Sequence, residues 1–412
     1  MSRLAARRLW FSHLRGEALP GPSLSQSQWS FLAEEALHHQ LAALTYRRLM
    51  DGPLADSVPA AVATRLRARY LDTAFKNAVL LRRTAELAAE LAKEGIPVIL
   101  LKGLHLARFV YAEPALRSMT DIDLLVPRER LAEAERIFLS LGYGPLPRPD
   151  LEEYTARSNH LAKLHKPGAP VLELHWTIEL PTSPFHIDLD GLWARARATE
   201  LQGVTVFLLA PEDLLLHLAL HESYHHGFAW SALKGLVDLD AVVVRHAAEL
   251  DWTVLAKRAN TWGASGFIYT TLRLVKEILG TPIPTATFEA LRHDPGDEAV
   301  IEAARQHVLS PELKLPEPYL ELAGKTGLRE RWSLIRRRVF LPRESMQQIY
   351  GLGSSRASVY PSYLRRVADL LARRGHLLLH SLLRTRTVRS GLEREANRRR
   401  IERWIQHRSQ GG

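Results

Sequence analysis

The sequence predicts an α/β protein: a small mixed sheet flanked by helical N- and C-terminal regions. Three observations carry this. Residues 60–94 place Val62, Leu66, Tyr70, Leu71, Phe75, Val79, Leu80, Leu87 and Leu91 at roughly helical spacing, with Arg and Lys between them. From Ile96 to about Phe185, short apolar runs alternate with amphipathic stretches, as strands alternate with helices in a layered sheet. After Pro211 the helical period returns.

Taken in order, residues 1–95 read as helical, and Gly95 ends the long helix. Pro97 falls at the start of the next strand, where a missing N–H is tolerated. Val98–Leu101 reads as a short buried strand, Leu104–Tyr111 as a helix and Asp121–Val126 as a second strand. Glu129–Leu141 is an amphipathic helix closed by Gly142, and Val171–Trp176 is a third strand. Helices follow over Glu212–Tyr224, Trp230–His246, Thr253–Ala259 and Gly266–Leu279. The prolines of Leu309–Pro318 mark a linker, and Tyr363–Leu383 is again helical in pattern. The expected regions are 1–95 (helical), 96–210 (the sheet-containing core), 211–328 (helical) and 329–412 (Arg-rich and helical).

Length alone implies two or three domains, since the chain has 412 residues. Hydrophobic residues make up 46% and charged residues 24%, as in soluble globular proteins. There is no cysteine, which excludes disulfides, thiolate metal sites and cysteine nucleophiles, and fits a reducing, cytoplasmic setting. The basic N-terminus lacks the apolar run of a secretion signal, and no uninterrupted apolar stretch is long enough to span a bilayer. The net charge of +10 is uneven. Residues 329–412 hold twenty Arg, no Lys and six acids, so the rest of the chain is slightly acidic.

The chemistry centres on Asp121-Ile122-Asp123-Leu124. On a strand, side chains at i and i+2 share a face, so the two carboxylates project together while Ile122 and Leu124 turn inward. Two like charges side by side are costly unless a cation lies between them. Carboxylate oxygens suit Mg²⁺ or Mn²⁺, and such a site suits phosphate chemistry. Removing one of the two acids should relieve repulsion, so stability should hold or rise in Asp121→Asn and Asp123→Asn. In Val171-Leu172-Glu173-Leu174-His175-Trp176, alternation puts Glu173 and His175 on one face.

The order Leu101-Lys102-Gly103, a helix, Arg117-Ser118, the Asp121/Asp123 strand and a later strand bearing Glu173 resembles the nucleotidyltransferase superfamily with the polymerase β-like core. Within it, the chain resembles the uncharacterised nucleotidyltransferases, over roughly residues 30–370. The resemblance implies transfer of a nucleoside monophosphate from an NTP to a hydroxyl of an unknown acceptor, whether small molecule, protein or RNA. It implies Asp121, Asp123 and Glu173 as metal-binding and catalytic acids, Glu173 acting as ligand or as base. Lys102, Gly103, Arg117 and Ser118 would bind the nucleotide. The family usually has a second small residue after the glycine; here Leu104 follows Gly103, which leaves open a catalytically weak nucleotide-binding or regulatory protein with the same fold.

Other features are less specific. His175 could contact phosphate, orient Glu173 or serve structurally. His217, His221 and His225 fall at i, i+4 and i+8 on one helix face; lining the cleft is favoured over zinc, because no ligand from another element is evident. Asp238 and Asp240 do not share a helix face and read as exposed or capping acids. Residues 329–412 could contact nucleic acid or an anionic membrane, but a solvated helical extension is favoured.

Overall fold

The computed structural model describes residues 10–15, 24–146, 157–229, 232–294, 296–309, 327–350, 361–370 and 386–410. Chain contacts divide it into two compact units, Met1–Val308 with Glu402–Gly412, and Leu309–Ile401.

The first unit is α/β. Helices α1 (Gln26–His38) and α2 (Ala42–Asp51) precede the 34-residue α3 (Ala60–Lys93). Seven strands then form one mixed sheet: β1 (Ile99–Leu100), β2 (Asp121–Leu125), β3 (Gly144–Pro145), β4 (Leu164–His165), β5 (Val171–His175), β6 (Arg197–Leu201) and β7 (Val204–Leu208). Their spatial order is β3-β4-β5-β2-β1-β7-β6. At the centre, β2 pairs in parallel with β5 and antiparallel with β1, and β1 pairs in parallel with β7.

The C-terminal half of α3 buries Leu80, Leu87, Ala88 and Leu91 with Leu100, Ile122, Leu124, Leu172, Leu174 and Val206 of the sheet. This is the alternation expected of half-buried strands: every second residue of β2 and β5 enters the core. The apolar stripe read along α3 divides in two, however. Leu71, Phe75 and Val79 are exposed, because at i, i+4 and i+8 they share a helix face turned away from the one that buries Val62, Leu66, Asn77 and Leu80.

Four strands were not foreseen. β6 and β7 form a hairpin whose turn, Gln202-Gly203, has both residues at positive φ (51° and 82°), as a two-residue hairpin turn requires. The strands β3 and β4 are two residues each, too short to leave a periodic signal. The helix expected at Leu104–Tyr111 begins earlier, as a turn over Lys102–His105 (α4), and widens to a π turn over Leu106–Val110. α5 spans Leu131–Ser140.

After the short α6 (Leu189–Arg195), a helical layer follows the sheet. α7 spans Pro211–Leu220 and passes into a π turn over His221–His225. α8 (Ala232–Arg245), α9 (Trp252–Thr261), α10 (Ser265–Leu279), α11 (Thr285–Ala290) and α12 (Asp297–Leu309) complete the unit. Trp230, expected to start α8, lies outside the described residues, as does most of Leu309–Pro318. No helix among the described residues is long and apolar enough to cross a membrane.

The second unit contains helices over Leu328–Val339, Arg343–Tyr350 and 361–370. Tyr363 donates to the Leu341 carbonyl (2.8 Å) and Tyr350 to Asp369 (3.1 Å). The part of Tyr363–Leu383 beyond residue 370 lies outside the described residues. The end of the Arg-rich tail corrects the expectation of a solvated extension. Residues 402–410 pack in the first unit, where Trp404 Nε1 donates to Asp297 (2.8 Å) and Arg408 pairs with Asp297 (2.6 Å) and Asp294 (2.8 Å). Farther back, Arg398 and Arg399 both pair with Glu395 and stay largely exposed.

Asn77 ties α3 to the loop before β2. Its buried Nδ2 donates to the carbonyls of Pro114 (2.6 Å) and Arg117 (2.7 Å). Asn77→Ala removes both bonds and leaves two carbonyls without that donor, so it should cost about 2 kcal/mol in urea unfolding. Wild-type stability in that variant would show that the loop is held by other contacts.

Candidate functional site

The site follows from the register of two strands. In the parallel pairing of β2 and β5, Asp123 stands opposite Glu173 and Leu124 opposite Leu174. The leucines enter the core, so the two acids emerge side by side on the other face. Asp123 is 3% exposed and Glu173 5%. His175, one pleat along β5, is buried, and its Nε2 lies 2.9 Å from Asp123 Oδ1 and 3.5 Å from Glu173 Oε2. Asp121, at the strand's entry, is partly exposed at the rim. A cavity of about 470 Å³ is lined by Asp121, Asp123 and Glu173, and His175 does not line it.

Cations compensate the buried acids. Lys102 Nζ lies 2.8 Å from Asp123 and 3.9 Å from Glu173. Its backbone has φ of +43°, a left-handed conformation that costs a lysine energy and aims the side chain back across β2. Lys163, in the segment before β4, pairs with the other Glu173 oxygen. His160 forms an isolated bridge with His175, and its ring stacks edge-on to it at 5.0 Å.

These contacts divide the three acids. Burial pushes the Asp123 carboxyl up, but Lys102 and His175 outweigh it and hold its pKa well below the ordinary value. Burial acts likewise on Glu173, and the His175 hydrogen bond with the Lys102 and Lys163 charges brings it from 4.5 to about 2. Asp121 forms no ion pair among the described residues; burial and the charges of Asp123 and Glu173 outweigh those of Lys102 and Lys163 and raise it. The expected convergence of three carboxylates is therefore uneven. Ligand atoms of Asp123, Glu173 and His175 all lie within 4.8 Å of one another, and Asp121 lines the same cavity outside that cluster. Two carboxylates and an imidazole fit a divalent cation such as Mn²⁺ or Mg²⁺, and His175 Nδ1 meets no hydrogen-bond partner among the described residues.

The residues expected to bind nucleotide all line the cavity, but two are already engaged. Burial disfavours the Arg117 charge, yet Asp238 more than compensates, with Nη2 3.0 Å from Asp238 Oδ2. The space that a Cβ on Gly103 would take is filled by Arg117 Nη1 at 2.7 Å and Met119 Cβ at 2.9 Å. Gly103 thus admits Arg117. Ser118 Oγ lies 3.5 Å from Gln40. Asp238 also corrects the reading of an exposed acid: it is 2% exposed and accepts from Tyr111 (2.8 Å) as well as Arg117. Asp240 instead accepts from Thr281 (2.6 Å), on another face of the helix.

The histidines do follow one another, with ring centroids 6.3 Å apart for His217 and His221 and 5.5 Å for His221 and His225. His225, in the π turn, pairs with Glu179 (2.7 Å), while His221 Nε2 and His226 Nε2 are 3.1 Å apart. His217 is buried, its Nε2 without a partner among the described residues, and it does not line the cavity. Burial holds His217 and His221 well below the ordinary histidine value, as neutral rings. His160, Lys163, Glu222 and Lys234 line the cavity too and were missed. His160 and Lys163 precede a two-residue strand, and Glu222 and Lys234 sit on helices with no motif around them.

The shifts set the sign of the stability effects. For Asp123 and Glu173 the folded pKa is depressed, so their stabilisation is full above the unfolded values near 4 and is lost as pH falls through the folded ones. For Asp121 the folded pKa is raised, so its charge costs stability above that pKa. Asp121→Asn should therefore hold or raise the melting temperature at pH 7. Asp123→Asn should lower stability by about 3 kcal/mol, because Lys102 loses its buried partner. This revises the sequence expectation for Asp123. Equal melting temperatures for the two variants would contradict the division.

A sequence profile described as uncharacterised nucleotidyltransferase matches residues 25–280. That span contains the whole sheet and every residue lining the cavity. No curated protein matches the chain significantly. A solved structure, of an antigenic nucleotidyltransferase-like protein from Paracoccidioides brasiliensis, is similar at 16% identity and a TM-score of 0.33, over 52% of this chain and 94% of that one. A score that low carries no weight, whereas the profile covers well over half of the chain. The chain belongs to the uncharacterised nucleotidyltransferase family.

Proposed function

We propose that the protein is a divalent-metal-dependent nucleotidyltransferase that moves a nucleoside monophosphate from an NTP to a hydroxyl of an acceptor. The observation that carries this reading is the β2–β5 register, which sets Asp123 beside Glu173 over a cavity that Asp121 also faces. The acceptor oxygen attacks the α-phosphorus, the bond to the bridging oxygen breaks, pyrophosphate leaves and the hydroxyl proton is released. Asp121, Asp123 and Glu173, with His175 beside them, would hold Mg²⁺ or Mn²⁺. When bound, the cation would neutralise charge on the phosphate oxygens in the in-line transition state.

The chain's own groups divide the remaining work. Glu173 suits the ligand role better than the base role, because a carboxyl held at about 2 draws a proton weakly. Lys102 and Ser118 stand on the cavity wall as donors for phosphate oxygens. The neutral His221 offers an uncharged ring at the opposite wall. The reading places the reaction in the cytoplasm, where NTPs are available. One observation favours the alternative of a catalytically weak nucleotide-binding protein: Lys102 and Lys163 both already pair with the acids.

A pyrophosphate-release screen with each NTP, Mg²⁺ or Mn²⁺, and candidate small-molecule, protein and RNA acceptors separates the two readings. Metal-dependent release is expected. Asp123→Asn and Glu173→Gln should each reduce it at least about a hundredfold, as expected when charge stabilisation at the reacting phosphate is lost. Binding of NTP without release would favour the alternative. Release that survived both substitutions would remove these acids from the chemistry.

A further inference from the structure

The wall of the cavity opposite the acids carries two polar groups that the transfer reading leaves unused. Glu222, in the π turn after α7, is 8% exposed, and its Oε2 meets no hydrogen-bond partner among the described residues. Lys234, in the first turn of α8, is partly buried and makes no hydrogen bond or ion pair among the described residues. Both line the cavity. The other lysine and arginine side chains lining it are engaged: Lys102 by Asp123, Lys163 by Glu173, and Arg117 by Asp238.

We propose that Lys234 and Glu222 together form a phosphate-binding subsite on the helical wall of the cavity, which holds a phosphate group of the triphosphate while the acids hold the metal. The proposal rests on the nucleotidyl-transfer reading for the identity of the ligand, though not for the existence of the subsite.

The groups facing this pair are Arg117, Asp238 and Asp121. Asp238 is engaged by Arg117 and Tyr111, and its charge offsets only part of what burial and Arg117 take from Lys234. Arg117 is thus paired with Asp238, and Lys234 is the cavity-lining cation that no carboxylate among the described residues pairs with. Glu222 lies against the backbone of α8: a Cβ on Gly235 would come within 2.1 Å of its Cδ and 2.2 Å of its Oε1. Burial raises the Glu222 carboxyl to about 8, and burial together with Arg117 lowers the Lys234 ammonium to about 8. At pH 7 Glu222 is thus mostly a neutral acid that can donate, and Lys234 is mostly charged. Two donors and no ionised acceptor make a site for an anion, whereas an ionised Glu222 would repel one.

The test is calorimetric binding of pyrophosphate, with Mg²⁺ present, to the full chain. Wild type should bind. Lys234→Met should weaken binding about tenfold or more, as expected for loss of a charge-assisted hydrogen bond, and Lys234→Arg should retain it. Glu222→Gln keeps a neutral donor and should stay close to wild type, while Glu222→Ala should weaken binding. The glutamate pair decides the matter if Lys234→Met fails to fold. Unchanged binding in a folded Lys234→Met, or a loss in Glu222→Gln as large as in Glu222→Ala, would overturn the subsite. Wild type that released pyrophosphate from NTPs but bound none would overturn the subsite and spare the transfer reading. Binding that depended on Lys234, with no turnover of any NTP, would support the subsite and sink the transfer reading.

Discussion

The constraint on which the rest depends is the parallel pairing of β2 with β5. It fixes Asp123 beside Glu173 because their neighbours Leu124 and Leu174 must enter the same core. A shift of one residue would send the acids into the apolar layer under α3 and the leucines into the cavity, so burial of one face protects the geometry of the other. The acids then need positive charge nearby. Lys102 and Lys163 supply it from two different segments, His175 sets a ring nitrogen 2.9 Å from Asp123, and the strained backbone of Lys102 is one local consequence. Like charges held close are tolerable only where something else compensates them, and here the compensation comes from the walls of a single cavity.

Much of the sheet and its acids was legible because period-two alternation writes both faces of a strand at once. Ile122 and Leu124 alternating with Asp121 and Asp123, and Leu172 and Leu174 around Glu173, are a complete statement of which side faces the core. The position of Asp121 was not legible. Alternation makes it equivalent to Asp123, but it lies at the strand's first residue, where neither Lys102 nor His175 reaches it. The β6–β7 hairpin escaped because Gln202 replaces the usual Asn or Asp at a left-handed turn position. Glu222 and Lys234 escaped because they meet across two helices, and helical periodicity reports one helix face at a time.

Arg117 shows why residue type and position do not settle a role. Sequence order puts it where a phosphate-binding arginine is expected, and it does reach the cavity. Yet a buried guanidinium needs a carboxylate, and Asp238 of α8 provides one at 3.0 Å. Gly103 leaves the room for it. The pair also carries a mechanical consequence. Arg117 belongs to the loop entering β2, and its carbonyl is held by Asn77 of α3, while its guanidinium is held by α8. One residue thereby joins the long N-terminal helix, the acid-bearing strand and the helical layer.

That junction explains how the cavity can hold two opposed walls without collapse. The acidic wall belongs to the sheet, whose register is set by its core, and the helical wall is pinned to it through Arg117, Asp238 and Tyr111. With Asp238 consumed in the joint, the charge left over on the helical side is positive, and the charge left over at the sheet's rim, on Asp121, is negative. A ligand carrying phosphates with a bound divalent cation presents both signs at once. The separation of unpaired charge across the cavity is therefore a product of the same ion pair that ties the two layers together.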